Sequence, residues 1–275
     1  MDEKKIDISV IIPCFNEEDN IEELHQRLTA VMKTLGKEYE MIFVDDGSID
    51  DTFNRLKRLY QSDGSVKVIS FTDNFGQTAA LAAGFELNRG EIVVTLDADL
   101  QVVPEDIPVL VKKINEGYDM VNGWRKKRMD SLFLRRLPSL IANKIITWIS
   151  GIKLKDFGSP LKAYRRSVIK NIELYRGAHR FIPVLAGRLN INMAEIPVQH
   201  FLRTRGRSHY GLTRTFGVIL DLIFLKFSKY LNHPLQFIMT GLLGEMIVKK
   251  YYINTGRKIY TIKTILSKDN ETILS

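Results

Sequence analysis

The stretch EIVVTLDADLQ, residues 91–101, constrains the fold more than any other. Ile92, Val93, Val94 and Leu96 make a nearly unbroken apolar run, the pattern of a strand covered on both faces rather than wetted on alternate residues. Strands of that kind belong to parallel sheets flanked by helices. Two carboxylates, Asp97 and Asp99, follow at the carboxyl end, where open α/β sheets take their ligands. An Asp-x-Asp pair supplies hard oxygen ligands suited to Mg2+ or Mn2+, and such an ion in turn clamps a diphosphate. A solvated turn is the plainer alternative, because Asp is a common turn residue.

The rest of the chain repeats the same unit. Residues 6–15 read as a strand, followed by a helix whose apolar stripe is Ile21, Leu24, Leu28, Val31, Met32 and Leu35 and whose end is marked by Gly36. A second strand over 39–44 also stops in carboxylates, Asp45 and Asp46, before Gly47 and Ser48. A helix over 51–60, a strand over 66–71, a helix over 77–87, the acidic strand, a helix over 105–115 and a strand over 119–123 complete the alternation. Strand and helix at this spacing predict βαβ units, right-handed crossovers and a mainly parallel sheet of the α/β class. Beyond Trp124 the pattern loosens: a helix over 137–149, turn chemistry over 155–166 around Gly158 and Pro160, a short helix over 181–188, a strand over 194–200 and an apolar-sided segment over 213–230.

Composition narrows the function classes only slightly. An excess of 40 Lys and Arg over 32 Asp and Glu gives +8, which suits an anionic partner without choosing one. The single cysteine, Cys14, excludes an intrachain disulfide and reads as a small buried residue. The five histidines lack ligand spacing, so a histidine-based metal site is not expected. MDEKKID has no apolar core of a signal peptide, which points to the cytoplasmic side.

Several ordered motifs acquire meaning together: IIPCFNEEDNI, VDDGSIDDT, NFGQTAALAAGF, LDADLQ, EGYDMVNGWRKKRMDS, DFGSPLKAYRR, HRFIPVLAG, EIPV and RGRSHYG. In this order, from about residue 8 to 231, the chain resembles the family 2 glycosyltransferases of GT-A fold, and within them the polyprenyl-phosphate branch. The resemblance implies that Pro13, Asn16 and Glu17 line a nucleotide pocket, that Asp45 contacts the base with Asp46 beside it, and that Asn74 and Gly76 form the next wall. Asp97 and Asp99 match the metal-diphosphate pair. Arg125 and Arg128 match basic positions for the donor diphosphate or acceptor phosphate, and Asp156 a carboxylate near the acceptor. Arg205, Arg207, Ser208 and Tyr210 match a loop that covers the nucleotide sugar. On this basis Asp156, Asp99 and Arg128 are the expected catalytic residues. The chain departs from the pattern at Val102 and Val103, where the family often has Asp or His and the first of two prolines, before Pro104; Glu105 and Asp106 are close enough in sequence to substitute.

The implied reaction passes a sugar, with inversion, from a nucleotide-diphosphate donor to a polyprenyl (undecaprenyl) phosphate at the cytoplasmic face of the membrane. The expected domains are a GT-A catalytic unit over 1–210 and an amphipathic, membrane-interfacial region over 211–275. No window reaches the ~18 to 20 uninterrupted apolar residues of a spanning helix, and two segments that flank a transmembrane hairpin in this branch abut near Met239. The basic stretch over 203–214 with Lys226 and Lys229 fits an anionic membrane surface. A non-lipid acceptor, or a non-catalytic membrane-binding relative, is the alternative. A processive polysaccharide synthase is disfavoured because neither Trp124 nor Trp148 lies in a Gln-x-x-Arg-Trp motif. Nucleic acid is not an expected partner, since acidic strand ends repel a polyanion; a homo-oligomer is compatible with the sequence.

Overall fold

The computed structural model describes residues 5–126, 143–144, 146–148, 150–174, 177–202, 247 and 258–267. One sheet of eight strands runs in the order β7-β5-β6-β4-β1-β2-β3-β8. The first half follows the alternation predicted from sequence: β1 (Ile8–Cys14), α1 (Ile21–Leu35), β2 (Tyr39–Asp45), α2 (Thr52–Ser62), β3 (Val66–Phe71), α3 (Gln77–Leu87) and β4 (Ile92–Thr95). Strands β1, β2, β3 and β4 pair in parallel, with Cys14 opposite Asp45 and Ile11 opposite Thr95. Equal direction and this register bring the carboxyl ends of β1, β2 and β4 to one edge.

Alternation along β1 sorts the core into two layers. Ile8, Val10 and Ile12 meet α1 and its neighbours, whereas Ile11 meets α3 on the other face. Leu24 and Leu28 of α1 are fully buried there, each worth roughly 2 kcal/mol of transfer free energy. Gly36 closes α1 in the left-handed conformation at φ 59, its N–H donating to the Lys33 carbonyl. Helix α3 carries small residues against the sheet, and a Cβ on Gly84 would sit 2.3 Å from Cγ2 of Ile11, so close packing fixes that glycine.

The second half departs from the expected continuation. A one-turn 3-10 helix (Pro104–Asp106) leads into α4 (Ile107–Asn115) and then β5 (Met120–Trp124). The stretch read as turn chemistry over 155–166 contains a strand, β6 (Lys162–Arg165), which inserts antiparallel between β4 and β5. A short helix (Arg166–Lys170), a 3-10 turn (Ala178–Phe181) and another short helix (Ile182–Gly187) precede β7 (Met193–Pro197), which pairs parallel with β5. The strand expected over 194–200 therefore stops at Pro197, and the chain crosses back so that Phe201 N–H donates to the Gln101 carbonyl.

A last strand, β8 (Ile262–Leu266), adds antiparallel to the edge strand β3. It lies within the stretch expected as a C-terminal appendage, so part of that stretch belongs to the sheet. Tyr260 stacks on Phe71 at 4.9 Å and donates to Glu86 at 2.7 Å, fastening this return. The expected segments over 213–230 and most of 137–149 lie outside the described residues. No helix among the described residues is long and apolar enough to cross a membrane.

Candidate active site

The carboxyl edge of β1, β2 and β4 gathers the acidic residues that the sequence singled out. Asp45, at the end of β2, is buried and accepts from Ser70 Oγ at 2.9 Å and from the Ser48 N–H at 3.1 Å. Asn16 sits at φ 54 after β1; its N–H donates to Ser48 Oγ at 3.0 Å, and its side-chain oxygen accepts from the Ile49 N–H at 3.0 Å. Glu17 is buried, with its N–H on Thr52 Oγ1 at 2.9 Å and its carboxylate on Asn20 Nδ2 at 2.6 Å. Pro13 lies within β1, opposite Val44. These bonds lock the loops after β1 and β2 to each other.

Asp46 builds the neighbouring wall. Its carboxylate accepts the Phe75 N–H at 2.7 Å and the Gly76 N–H at 2.8 Å, so it shapes the loop that carries Asn74 and Gly76. Burial pushes this carboxyl up to about 6 against the pull of those two amides. Gly47, at φ 69, touches the same loop: a Cβ there would lie 2.5 Å from the Asp73 carbonyl carbon. The backbone at Asn74 is exposed and donates to its neighbour Asp73 at 2.7 Å. Cys14 ends β1 in the core layer packed against α1, where burial, reinforced by Asp45, Glu17 and Asp97, holds its thiol well above the usual range. A buried neutral thiol is packing, as the sequence suggested.

Asp97 and Asp99 follow β4 at the same edge. Gln77, the first residue of α3, donates through Nε2 to Asp97 Oδ1 at 2.6 Å, while Asp99 Oδ1 accepts the Gln101 N–H at 3.1 Å. Among the described residues no group of three or more Asp, Glu, His or Cys side chains is arranged to hold a metal. Two oxygen-bearing side chains nevertheless suit Mg2+ or Mn2+, because such ions often take one or two carboxylates and complete their shell with water and substrate phosphate.

The departure after this pair is resolved by packing. Val102 and Val103 are buried at 2% and 3% exposure. Glu105 does not substitute for the missing polar group: it makes a two-pronged ion pair with Arg27 of α1 at 2.9 and 2.7 Å. Asp106 does not either, since its carboxylate accepts the Gln199 N–H at 2.6 Å. Both side chains fasten the loop to its surroundings.

Across β6, the second cluster centres on Asp156. Its carboxylate is buried and bidentate with Arg125, Nε to Oδ2 at 2.7 Å and Nη2 to Oδ1 at 2.9 Å, and the Arg125 N–H adds a third contact at 3.3 Å. Lys162, buried on β6, donates to the Ser159 carbonyl. Burial lowers its ammonium to about 8, opposed by the charges of Asp156 and Asp97 while that of Arg125 adds to the lowering. Lys162, Gln77, Asn122 and Glu195 are not singled out by the sequence, although all four sit inside the quoted motifs DFGSPLKAYRR, NFGQTAALAAGF, EGYDMVNGWRKKRMDS and EIPV. Arg128, Arg205, Arg207, Ser208 and Tyr210 lie outside the described residues.

A parallel α/β sheet with carboxylates gathered at one strand edge, extended by an antiparallel half that carries a second charged cluster, defines the GT-A class of transferase fold. Residues 9–173 match the model of Glycosyl transferase family 2, and the chain belongs to that family. It is 34% identical to the dodecaprenyl-phosphate galacturonate synthase of Rhizobium johnstonii over 98% of this chain and 95% of that protein. That alignment runs over 322 positions against a chain of 275 residues, so the relative carries internal segments that this chain lacks. The undecaprenyl-phosphate 4-deoxy-4-formamido-L-arabinose transferase of Shewanella sediminis is 42% identical over 78% of this chain, which spans 65% of that relative's length. Among solved structures, glucosyl-3-phosphoglycerate synthase from Mycobacterium tuberculosis, in complex with Mn2+, UDP and glucosyl-3-phosphoglycerate, shares the fold. That match has a TM-score of 0.61 at 22% identity and covers 82% of this chain and 80% of that one.

Proposed function

We propose that this glycosyltransferase moves a sugar from a nucleotide-diphosphate donor to a polyprenyl phosphate, with inversion by in-line displacement, at the cytoplasmic face of the membrane. The observation that carries the reading is the likeness to a dodecaprenyl-phosphate galacturonate synthase along almost the whole chain. The arabinose transferase, named for its undecaprenyl-phosphate substrate, supports the same class of acceptor. The Mn2+ and UDP bound by the structural neighbour support a divalent ion and a nucleotide donor.

Asp97 and Asp99 would hold Mg2+ or Mn2+, which when bound neutralises diphosphate charge as a Lewis acid. Asn16, Glu17 and Asp45 form the base and ribose end of the donor pocket, and Asn74 and Gly76 its wall. Arg125 meets the anionic groups, with guanidinium geometry suited to phosphate oxygens. The acceptor needs little activation: a phosphate monoester has a second pKa near ~6 and is mostly dianionic at neutral pH. Asp156 therefore serves by holding Arg125 in place more than by removing a proton, and its bidentate pairing supports that role. Arg128, Arg205, Arg207, Ser208 and Tyr210 complete the phosphate-binding and covering loops in this reading.

Exposed Phe201 and Leu202 lead directly into the basic stretch over 203–214, a combination that favours peripheral attachment to anionic lipid. Transfer assays with a panel of nucleotide sugars, Mn2+ and undecaprenyl phosphate test the proposal. Turnover that needs both the lipid phosphate and the metal is the expected result. Donor turnover onto a soluble phosphorylated acceptor alone would overturn the choice of acceptor.

A further inference from the structure

Four polar residues, one on each of four neighbouring strands, stand side by side just below the acceptor cluster. Thr95 of β4 is in register with Lys162 of β6, Lys162 with Asn122 of β5, and Asn122 with Glu195 of β7. Partners in register project from the same face of a sheet, so the four form one row across the antiparallel half. Thr95, Lys162 and Asn122 are buried at 3%, 4% and 1% exposure. A buried polar row is costly unless each member is bonded.

Every member spends a bond on the backbone of the one segment that presents Asp156. Thr95 Oγ1 donates to the Pro160 carbonyl at 3.0 Å, and Lys162 Nζ to the Ser159 carbonyl. Asn122 Nδ2 donates to the Asp156 carbonyl at 2.9 Å and to Glu195 Oε1 at 3.1 Å, linking the row to itself. Glu195 receives the Lys155 N–H at 3.0 Å and the Asp156 N–H at 3.1 Å. Asp156 is thus held at its amide by β7, at its carbonyl by β5 and at its carboxylate by Arg125 from the end of β5. Ordinary turns close on their own local bonds; this one is bolted to four strands.

We propose that Thr95, Lys162, Asn122 and Glu195 act as one set of positioning residues that fixes Asp156, and through it Arg125, for the acceptor phosphate. None of the four touches substrate in this account. The proposal rests on the reading above that the Asp156 and Arg125 pair serves the acceptor. It explains the EIPV motif, whose glutamate has no other assignment: a strand-borne carboxylate is the acceptor that two consecutive amides at 155 and 156 require. It also separates the row from the donor pocket, where the corresponding anchors are mostly loop amides, with Ser70 of β3 the strand residue among them.

Kinetics with donor and acceptor varied separately, combined with a double-mutant cycle, test the idea. The acceptor is undecaprenyl phosphate, the donor is the nucleotide sugar that turns over in the panel above, and the UDP-Mn2+ thermal shift reports the donor site. Glu195→Gln and Thr95→Val are each expected to lower kcat/KM for the lipid phosphate about tenfold or more, since small misplacements of a reacting group are expensive. Donor KM and the UDP-Mn2+ shift should stay within about twofold, and Thr95→Ser, which keeps the hydroxyl, should restore the loss. In an Asp156→Asn background, Glu195→Gln should cost less than about twofold further, because it acts through Asp156. If Asp156→Asn cripples acceptor kinetics while Glu195→Gln and Thr95→Val do not, or if the losses simply add, the row is structural only and the inference fails. If Asp156→Asn itself leaves acceptor kinetics intact, the reading of the acceptor site is the part that fails.

Discussion

The two halves of the sheet hold their carboxylates by different means. In the parallel half, Asp45, at the end of β2, and Asp46, just after it, are tied to one hydroxyl on the neighbouring strand, Ser70, and otherwise to loop amides, those of Ser48, Phe75 and Gly76. In the antiparallel half, Asp156 is buried against a guanidinium and steadied by residues drawn from four strands. Loop amides are neutral and adapt to a ligand that enters and leaves. A buried ion pair is rigid and intolerant of losing one member. Such a division suits a transferase in which the nucleotide exchanges at one edge while an anionic acceptor must be met by charge at a fixed place.

The sharpest way to break the comparison is at Asp97 and Asp99, the pair proposed to hold the metal. Asp99→Ala should reduce transfer by about a thousandfold, the scale on which loss of a group that stabilises developing charge is felt, while the circular dichroism spectrum and melting temperature remain those of the parent. A folded Asp99→Ala protein with normal turnover would remove the carboxylates from the chemistry. Next in size, Arg125→Ala leaves the buried Asp156 carboxylate without its bidentate partner. Urea denaturation should show a loss of about 3 kcal/mol, whereas Asp156→Asn should cost less, because the charge it leaves belongs to Arg125, the more exposed partner, and the amide oxygen still accepts from it.

Glycine 47 probes the other half. A Cβ at φ 69, pressed 2.5 Å from the Asp73 carbonyl carbon, should make Gly47→Ala less stable by roughly 2 kcal/mol and weaken UDP binding as the loop shifts. The smallest effect concerns pH. The Asp46 carboxyl is raised to about 6 from its ordinary value of 3.8, so the folded state binds a proton that the unfolded state has released. Its contribution is therefore full below about pH 4 and is lost as pH rises through about 6. Denaturation of the parent against Asp46→Asn should show the parent losing ground between pH 4 and 7, with the gap steady above that.

The same contrast explains what could be read in advance. Val66–Phe71 and Gln77–Leu87 matched the expected strand and helix to the residue, because a short β-branched run and an Ala- and Leu-rich run of good helix formers carry that information locally. Asp45 and Asp97 stood out because charge ends an apolar run. Strand β6 was hidden by Gly158 and Pro160, which punctuate the chain just before four residues with no strand-like alternation. The β-branched run of β8 has a strand's composition, but its place in the sheet is set by pairing with β3, some 190 positions earlier, and no local pattern records that pairing. Lys162, Asn122 and Glu195 acquire their role from register across the sheet, which a linear sequence does not display. Proximity in sequence misled at Glu105 and Asp106, whose side chains turn to Arg27 and Gln199.

Calorimetric titration of UDP with Mn2+ into the parent, Asp99→Asn and Asp156→Asn tests the division of labour most directly. The account predicts that Asp156→Asn binds UDP-Mn2+ as the parent does while failing to use undecaprenyl phosphate, and that Asp99→Asn loses the metal-dependent part of UDP binding. Metal-dependent UDP binding that survives in Asp99→Asn and disappears in Asp156→Asn would contradict it.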